Sequence, residues 1–344
     1  MPEPPTTPPA LDNTSPCLAA AWHPVAASAE VGDEPVGVLL LDRPWVLVRL
    51  DGEVRAFEDR CPHRLAPLSA GSVAGGRLVC RYHGWAFEAG GACTRIPANG
   101  EDGPIPSRAS LAQPAQVVER YGLVWLAPEP PVCDLHEFPE WDDPGFVRAA
   151  TPPRRTPAGA LQLADNFLDA AHFPTVHTQT FGTPEAAYVS PHEVERAGWE
   201  VRTTYHAPYR NHDDPLVASG EHPLIQDHVL TKVGRPAAAV RLTLDFPVTG
   251  ERLAILFACQ PETATSTRVY KQMARSGYGV SAEASERIAE LVAYEDLVLD
   301  EDLAILERYR DHSLALDLKV EVHSRADRLS VAYRRVLADL ASRA

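Results

Sequence analysis

The chain has 344 residues, of which 45% are hydrophobic and 23% charged, a composition that predicts about two folded domains and excludes wholesale disorder. Its formal net charge of −15 argues against nucleic acid as a partner. The sequence lacks an apolar run near the roughly 18–20 residues of a membrane span, lacks a secretory signal, and has too few cysteines for a disulfide scaffold. We therefore expect a soluble cytoplasmic protein with no membrane segment.

The first part of the chain predicts an all-β domain behind a short tail. Residues 1–18 are rich in proline and predict a flexible segment. Residues 19–127 contain short β-branched, apolar runs, and Asp51-Gly52 between two of them is a strong hairpin signal. A second proline-rich stretch, residues 128–157, predicts an irregular connector.

The remainder, residues 158–344, predicts an α+β domain. Apolar residues follow one helical face over residues 161–172. Strand-like segments follow at residues 199–206, 238–246, 253–259 and 267–273. Ser281 is a candidate N-cap for a long helix that runs to about residue 309, and a last helix is expected over residues 324–340.

Two short segments of the all-β part each carry one cysteine and one histidine. Cys61 and His63 flank a proline, and Cys80 and His83 follow after 16 intervening residues. Thiolates and neutral imidazoles are ligands of zinc and of iron–sulfur centres. Because each segment offers one residue of each type, the arrangement favours a two-iron cluster with two cysteines on one iron and two histidines on the other, with zinc as the alternative. The remaining cysteines lack histidine partners at ligand spacing and are expected to be free thiols: Cys17, Cys93, Cys133 and Cys259.

The stretch CPHRLAPLSAGSVAGGRLVCRYHGWAF resembles the Rieske motif of the Rieske non-heme iron oxygenase α-subunits. The resemblance implies that Cys61 and Cys80 hold one iron of a [2Fe-2S] cluster and that His63 and His83 hold the other. Trp85 matches the family's aromatic residue beside the cluster. The implied fold class is α+β: an N-terminal all-β Rieske domain followed by a helix-grip, START-like catalytic domain.

A second histidine pair lies in the first predicted helix of the α+β part. Asn166, Asp169 and His172 recur every third residue and are expected near one helical face. Pro174 is expected to end this helix, so that His177 turns back toward His172. The two histidines would then converge, with a carboxylate and an amide nearby to orient them.

Two histidines and one carboxylate can hold Fe(II) with positions left for O2 and substrate. The segment 301–310 is similar to an acidic pattern of the family, which favours Asp302 as the carboxylate, with Asp296 as the alternative. Asp169 is similar to the family's bridging aspartate. The resemblance therefore implies that it links His172 to His63 or His83 of a neighbouring subunit in a homotrimer.

The resemblance is to the α-only, homotrimeric branch that includes vanillate O-demethylases and dicamba monooxygenase. It implies an oxygenase that uses O2 and NAD(P)H-derived electrons to hydroxylate or demethylate a small, aromatic or polycyclic organic substrate. The chain has no GxGxxG loop and no second four-cysteine motif, so a separate reductase of the flavin or ferredoxin type is implied. The alternatives are an electron carrier that uses only the cluster, a ligand-binding module, and a zinc-stabilised structural protein.

Overall fold

A computed structural model describes residues 9–211, 214–279 and 282–343. It divides into two compact units, which we call the β unit and the α+β unit. The β unit comprises Thr14–Cys133 and Gln260–Ala264, and the α+β unit comprises the chain before Thr14, Asp134–Cys259 and the chain from Thr265 onward. Within the described residues, no helix is long and apolar enough to cross a membrane.

The secondary structure follows the chain in this order. The strands are β1 (Ala10–Leu11), β2 (His23–Ala27), β3 (Val36–Leu40), β4 (Arg43–Leu50), β5 (Glu53–Glu58), β6 (Ser72–Ala74), β7 (Arg77–Val79), β8 (Ala86–Phe87), β9 (Cys93–Arg95), β10 (Gln116–Arg120), β11 (Leu123–Ala127), β12 (Phe146–Ala150), β13 (Arg154–Thr156), β14 (Val194–Ala197), β15 (Glu200–Arg210), β16 (Ile225–Arg235), β17 (Ala239–Phe246), β18 (Glu251–Thr263), β19 (Ser266–Ser276) and β20 (Leu314–Ala315). The α-helices are α1 (Pro139–Asp142), α2 (Ala160–Leu168), α3 (Phe173–Val176), α4 (Pro215–Ser219), α5 (Ala282–Leu306) and α6 (Arg328–Ala341).

The β unit consists of three small antiparallel sheets, with strand orders β10-β11-β2, β3-β4-β5 and β6-β7-β8-β9. The predicted hairpin forms between β4 and β5, where Leu50 pairs with Glu53. Asp51 and Gly52 between them both have positive φ, 53° and 82°, as a two-residue turn of this hand requires. The β7–β8 connection carries one of the two cysteine–histidine segments.

The α+β unit is built on an eight-stranded antiparallel sheet. Its order is β12-β19-β18-β17-β16-β15-β14, and β13 also pairs with β19. Helix α2 packs against β16 and β17 and against the helices α5 and α6, and α6 packs against β14 and β15, so helices cover one side of the sheet. This architecture confirms the predicted fold class, a β domain followed by an α+β domain.

Several boundaries differ from the sequence-based expectation. The flexible tail does not extend over residues 9–18, because β1 pairs with β20 and Leu11 is buried. The side chain of Asn13 accepts a hydrogen bond from the backbone N–H of Ala160 at 2.9 Å and donates to Thr267 Oγ1 at 2.9 Å. The stretch 128–157 is not wholly irregular, because β12 and β13 pair with β19. The proposed cap Ser281 lies outside the described residues, and α5 ends at Leu306.

Candidate metal centres

The two cysteine–histidine segments fold into loops with the same backbone pattern. The N–H of Cys61 donates to Ala66 O at 2.9 Å, and the N–H of Leu65 donates back to Cys61 O at 2.9 Å. In the other loop, the N–H of Cys80 donates to Trp85 O at 2.8 Å and that of Gly84 to Cys80 O at 2.9 Å. Both residues four positions after the cysteine, Leu65 and Gly84, have positive φ, 60° and 69°. Two such loops place equivalent cysteines and histidines on either side of one centre.

Burial separates the two kinds of candidate ligand. Cys61 and Cys80 lie in one hydrophobic core cluster and are each 1% exposed. His63 and His83 are exposed, with their ring centroids 4.5 Å apart. The indole of Trp85 stacks on His63 at 4.6 Å, with the planes 7° apart. The cysteine side of the centre therefore faces the core and the histidine side faces outward.

The electrostatics of the thiols agree with a metal centre. Burial, and to a lesser extent the nearby Cys80, raises the pKa of Cys61 to about 11. A buried thiolate here therefore needs a strong positive charge beside it, which a bound metal supplies. Two buried thiols opposite two exposed imidazoles match the donor set of a Rieske [2Fe-2S] cluster.

The second histidine pair lies where α2 ends. The helix does not continue through Asp169 and His172 as the periodicity suggested, because it ends at Leu168 and Asp169 has extended backbone. Asp169 Oδ2 accepts from the backbone N–H of His172 at 3.0 Å, and Lys232 Nζ donates to the carbonyl oxygen of Asp169 at 2.6 Å. These contacts hold the chain in a turn. Pro174 does not end α2 but lies in the first turn of the short helix α3, which carries the chain to His177.

Three nitrogen and oxygen atoms meet in the α+β unit. His172 Nε2 and His177 Nε2 are 3.1 Å apart. Asp302 Oδ1 lies 3.5 Å from the first and 3.4 Å from the second. All three side chains offer a ligand atom within 4.8 Å of one another. Asp296 does not join them, because it forms an ion pair with Arg154 at 3.1 Å.

A carboxylate fixes the outer nitrogen of each imidazole. His172 Nδ1 lies 2.7 Å from Asp169 Oδ2, and His177 Nδ1 lies 3.2 Å from Glu301 Oε2. Since carboxylates only accept hydrogen bonds when ionised, each Nδ1 atom carries a proton, which leaves Nε2 as the atom through which the neutral form of each ring can bind a metal. Asp302 Oδ1 is buried and lacks a hydrogen-bond partner among the described residues. Three converging lone-pair donors of this kind fit a divalent iron.

The charge state of the carboxylates is consistent with this arrangement. Burial by itself would raise the pKa of Asp302, but His177, His172 and a hydrogen bond from Asn166 hold it below its ordinary value. Burial opposes ionisation of Asp169 as well, yet His172 and Lys232 lower its pKa to about 2. Both groups are therefore anionic at neutral pH, as a cation site requires.

Sequence reasoning missed two residues of this centre. Glu301, 7% exposed, also accepts from Gln179 N–H at 2.9 Å and from the Thr180 hydroxyl at 2.6 Å. In the sequence, the position of Glu301 directly before Asp302 was the feature that could have indicated its role at this site. Lys232 lies on β16, a strand that was not predicted. Burial lowers its pKa to about 8, although Asp169 and Asp302 counteract this effect.

Two cavities border the histidine pair. A narrow one of about 60 Å³ is lined mainly by aromatic and aliphatic side chains, among them Phe173, Phe181, Tyr209, Leu230, Leu244 and Val298. A more open cleft of about 460 Å³ is lined by Asp169 and His172 and by the exposed side chains Ile305, Tyr309 and Val322. The first suits an apolar small molecule, and the second is open to solvent.

Comparison with known proteins agrees with both centres. Residues 21–118 match the Rieske [2Fe-2S] domain, and residues 157–343 match the vanillate O-demethylase oxygenase C-terminal domain. The chain is 29% identical over 330 residues to methylxanthine N1-demethylase NdmA of Pseudomonas putida, and the aligned region covers 93% of this chain and 88% of the relative. It is 36% identical over 162 residues to the oxygenase component of dicamba O-demethylase of Stenotrophomonas maltophilia, 46% of this chain and 47% of the relative.

Among solved structures, NdmA of Pseudomonas putida with caffeine superimposes with a TM-score of 0.80 at 27% identity, over 94% of this chain and 91% of that one. The second matching domain spans more than half of the present chain. The chain therefore belongs to the Rieske oxygenases that carry a vanillate O-demethylase oxygenase C-terminal domain.

Proposed function

We propose that this chain is an oxygenase component with two iron centres, one in each unit. Cys61, His63, Cys80 and His83 would hold the [2Fe-2S] cluster. His172, His177 and Asp302 would hold the mononuclear Fe(II). The convergence of two imidazole Nε2 atoms on the unpartnered, buried Oδ1 of Asp302 carries the proposal.

The reaction class is hydroxylation or oxidative demethylation of a small aromatic compound. When bound, the cluster supplies electrons one at a time, and the mononuclear iron supplies the position at which O2 reacts. In balance, O2, two electrons and two protons convert a substrate C–H bond to C–OH and release water. If the carbon is a methyl group on nitrogen or oxygen, the product breaks down to formaldehyde and the demethylated compound. The similarity to a methylxanthine demethylase along most of the chain supports this second outcome.

The residues of the chain prepare the site for this reaction. Asp169 and Glu301 orient the two imidazoles, and Asn166 hydrogen-bonds to the carboxylate of Asp302. The apolar lining of the narrow cavity would bind the substrate beside these ligands and exclude water. The electrons come from NAD(P)H through a separate reductase.

We propose that the assembly is a homotrimer in which Asp169 links the two kinds of centre. Its carboxylate already binds His172 Nδ1 and also lines the open cleft. His63 and His83 are exposed, so the same residues of a neighbouring copy are available to reach this carboxylate. Exposed Ile305, Tyr309 and Val322 around the cleft would be covered by that copy. A cytoplasmic location is part of the proposal.

The pair of variants Asp302→Ala and Asp296→Ala tests the mononuclear site. Both remove a carboxylate from α5, but Asp296 is bound to Arg154 rather than to the histidines. We expect Asp302→Ala to lose about one of about three irons per chain while it keeps the cluster's visible absorption and acid-labile sulfide. Asp296→Ala should keep all of its iron. Full iron content in Asp302→Ala would refute this ligand assignment, and wild-type protein that binds only cluster iron would indicate an electron carrier.

A further inference from the structure

The inward face of β16 carries two buried polar residues, His228 and Lys232, into the narrow cavity. Leu230 lies between them on the same face of the strand and also lines the cavity. Lys232 lies at the end next to the histidine pair, where it donates to the carbonyl oxygens of Leu168 and Asp169. His228 is four residues away, roughly 13 Å along the strand. It therefore marks the end of the cavity remote from the iron ligands.

The tautomer of His228 follows from its one hydrogen bond. Its Nδ1 lies 2.5 Å from Ala207 O, and a carbonyl oxygen can only accept. Nδ1 therefore carries the proton, and Nε2 presents a lone pair. Burial lowers the pKa of this histidine to about 4, so the ring is neutral at pH 7. Within the described part of the chain, Nε2 has no hydrogen-bond partner, although the side chain is 2% exposed and lines the cavity.

A series of aromatic rings connects this acceptor with the histidine pair. Phe181 stacks on His177 at 4.5 Å and on Tyr209 at 5.9 Å, and Tyr209 lies 4.9 Å from His228. Phe246 stacks beside His228 at 6.1 Å. Such a wall favours a flat ligand. At its remote end, His228 Nε2 offers that ligand a hydrogen-bond acceptor, with which a donor on the ligand can pair.

We propose that His228 Nε2 accepts a hydrogen bond from the substrate and that the site takes flat aromatic compounds bearing an O–H or N–H donor. The proposal rests on the oxygenase function and specifies its substrate class. In this arrangement, His228 determines specificity and orientation without touching the iron ligands. A compound of the same shape that lacks the donor would leave Nε2 unpaired and bind more weakly.

Phenol and fluorobenzene are suitable minimal probes, because they have nearly the same shape and only phenol can donate. Their Kd values are to be measured by calorimetry on iron-loaded protein without O2, so that no turnover occurs. The ratio of the two Kd values is then compared between variants, which cancels the different hydration of the two compounds. His228→Phe keeps a ring between Tyr209 and Phe246 and removes the acceptor. His228→Gln restores an acceptor near Nε2.

We expect the His228→Phe substitution to shift the Kd ratio by about three- to tenfold toward fluorobenzene, the effect of one neutral hydrogen bond. His228→Gln should stay within about twofold of the wild-type ratio. His206→Leu is the matched control, since His206 is exposed on the neighbouring strand and pairs with Asp227. That control should leave the ratio unchanged.

Two results would overturn the proposal. One is an unchanged ratio in His228→Phe, and the other is wild-type protein that does not bind phenol. Iron analysis of the same samples separates this failure from that of the proposed function. Protein without mononuclear iron would contradict the oxygenase function, whereas a full iron complement with an unchanged ratio would contradict only the role of His228.

Discussion

Glu301 offers a direct test of how this protein orients its metal-binding imidazoles. Its carboxylate accepts three hydrogen bonds, from His177 Nδ1 at 3.2 Å, Gln179 N–H at 2.9 Å and the Thr180 hydroxyl at 2.6 Å. Glu301→Gln has nearly the same shape but replaces one acceptor oxygen with an amide donor. In either amide orientation, an N–H group then faces a group that donates in the native structure.

The expected consequence is a weaker mononuclear iron site. If the amide N–H faces His177 Nδ1, the imidazole proton is driven to Nε2, where it blocks metal binding. Loss of such an orienting partner typically lowers metal affinity by about 10–100-fold, or about 1.4–2.7 kcal/mol. The other orientation costs one buried backbone hydrogen bond at Gln179, about 1–3 kcal/mol. That second cost falls on folding stability, because the native tautomer of His177 is kept in this orientation. We therefore expect either an Fe(II) Kd raised by about tenfold or more, or a lowered free energy of unfolding.

The assay is anaerobic Fe(II) titration of protein whose cluster is intact and whose mononuclear iron has been removed by a chelator. Glu290→Gln is the control, because Glu290 is exposed on the same helix, α5. The cluster absorption should be unaffected in both variants. An Fe(II) Kd and a free energy of unfolding in Glu301→Gln that both equal those of wild type would refute the role given to this carboxylate.

Three further predictions concern electron transfer and stability. Asp169→Asn should keep both metals, because the amide carbonyl oxygen can replace Oδ2, the atom that accepts from His172. It should reduce single-turnover product formation to background, and wild-type product yield would remove the proposed bridging role. Burial and the charges of nearby arginines lower the pKa of His136 from 6.5 to about 3, and burial lowers that of His23 to about 4. Both histidines are neutral in the folded state, so their contribution to the free energy of unfolding is complete above pH 6.5. Below pH 6.5 the unfolded chain binds protons that the folded chain does not. The free energy of unfolding therefore falls by up to about 1.4 kcal/mol per pH unit for each group, until the pH reaches the folded-state pKa values. A thermal midpoint that does not change between pH 6.5 and 4.5 would contradict this. Asn13→Ala should lower the free energy of unfolding of the α+β unit by about 2–4 kcal/mol, because the amide makes buried hydrogen bonds to Ala160 and Thr267. Denaturant unfolding measures this change, and a loss below about 0.5 kcal/mol would contradict the role of these hydrogen bonds.

The spacing of the cluster-site residues was informative because the chemistry is local. Cys61 and His63, and likewise Cys80 and His83, lie within one loop each, so the sequence contains the complete donor set. The structure adds that the cysteines are buried and the histidines exposed. The long-range convergence of Asp302 on the other histidine pair could be predicted only through resemblance, because no local pattern links residues so far apart in the chain.

Local patterns failed where polar residues point inward. Strand β16 was not predicted because its buried face carries Gln226, His228 and Lys232, which hides the alternation of apolar and polar residues. The end of α2 was misplaced for a related reason. The buried Lys232 binds the carbonyl oxygens of Leu168 and Asp169, and this tertiary contact overrides the helical periodicity that continues in the sequence. Both exceptions occur at the functional site.

We propose that one chain carries a two-iron cluster and a separate mononuclear iron. Metal and acid-labile sulfide analysis of the purified protein, combined with an EPR spectrum after reduction, tests it most directly. We expect about three irons and two sulfides per chain with a Rieske-type signal. Zinc without sulfide, or about two irons with a second site that remains empty after Fe(II) is added, would contradict it.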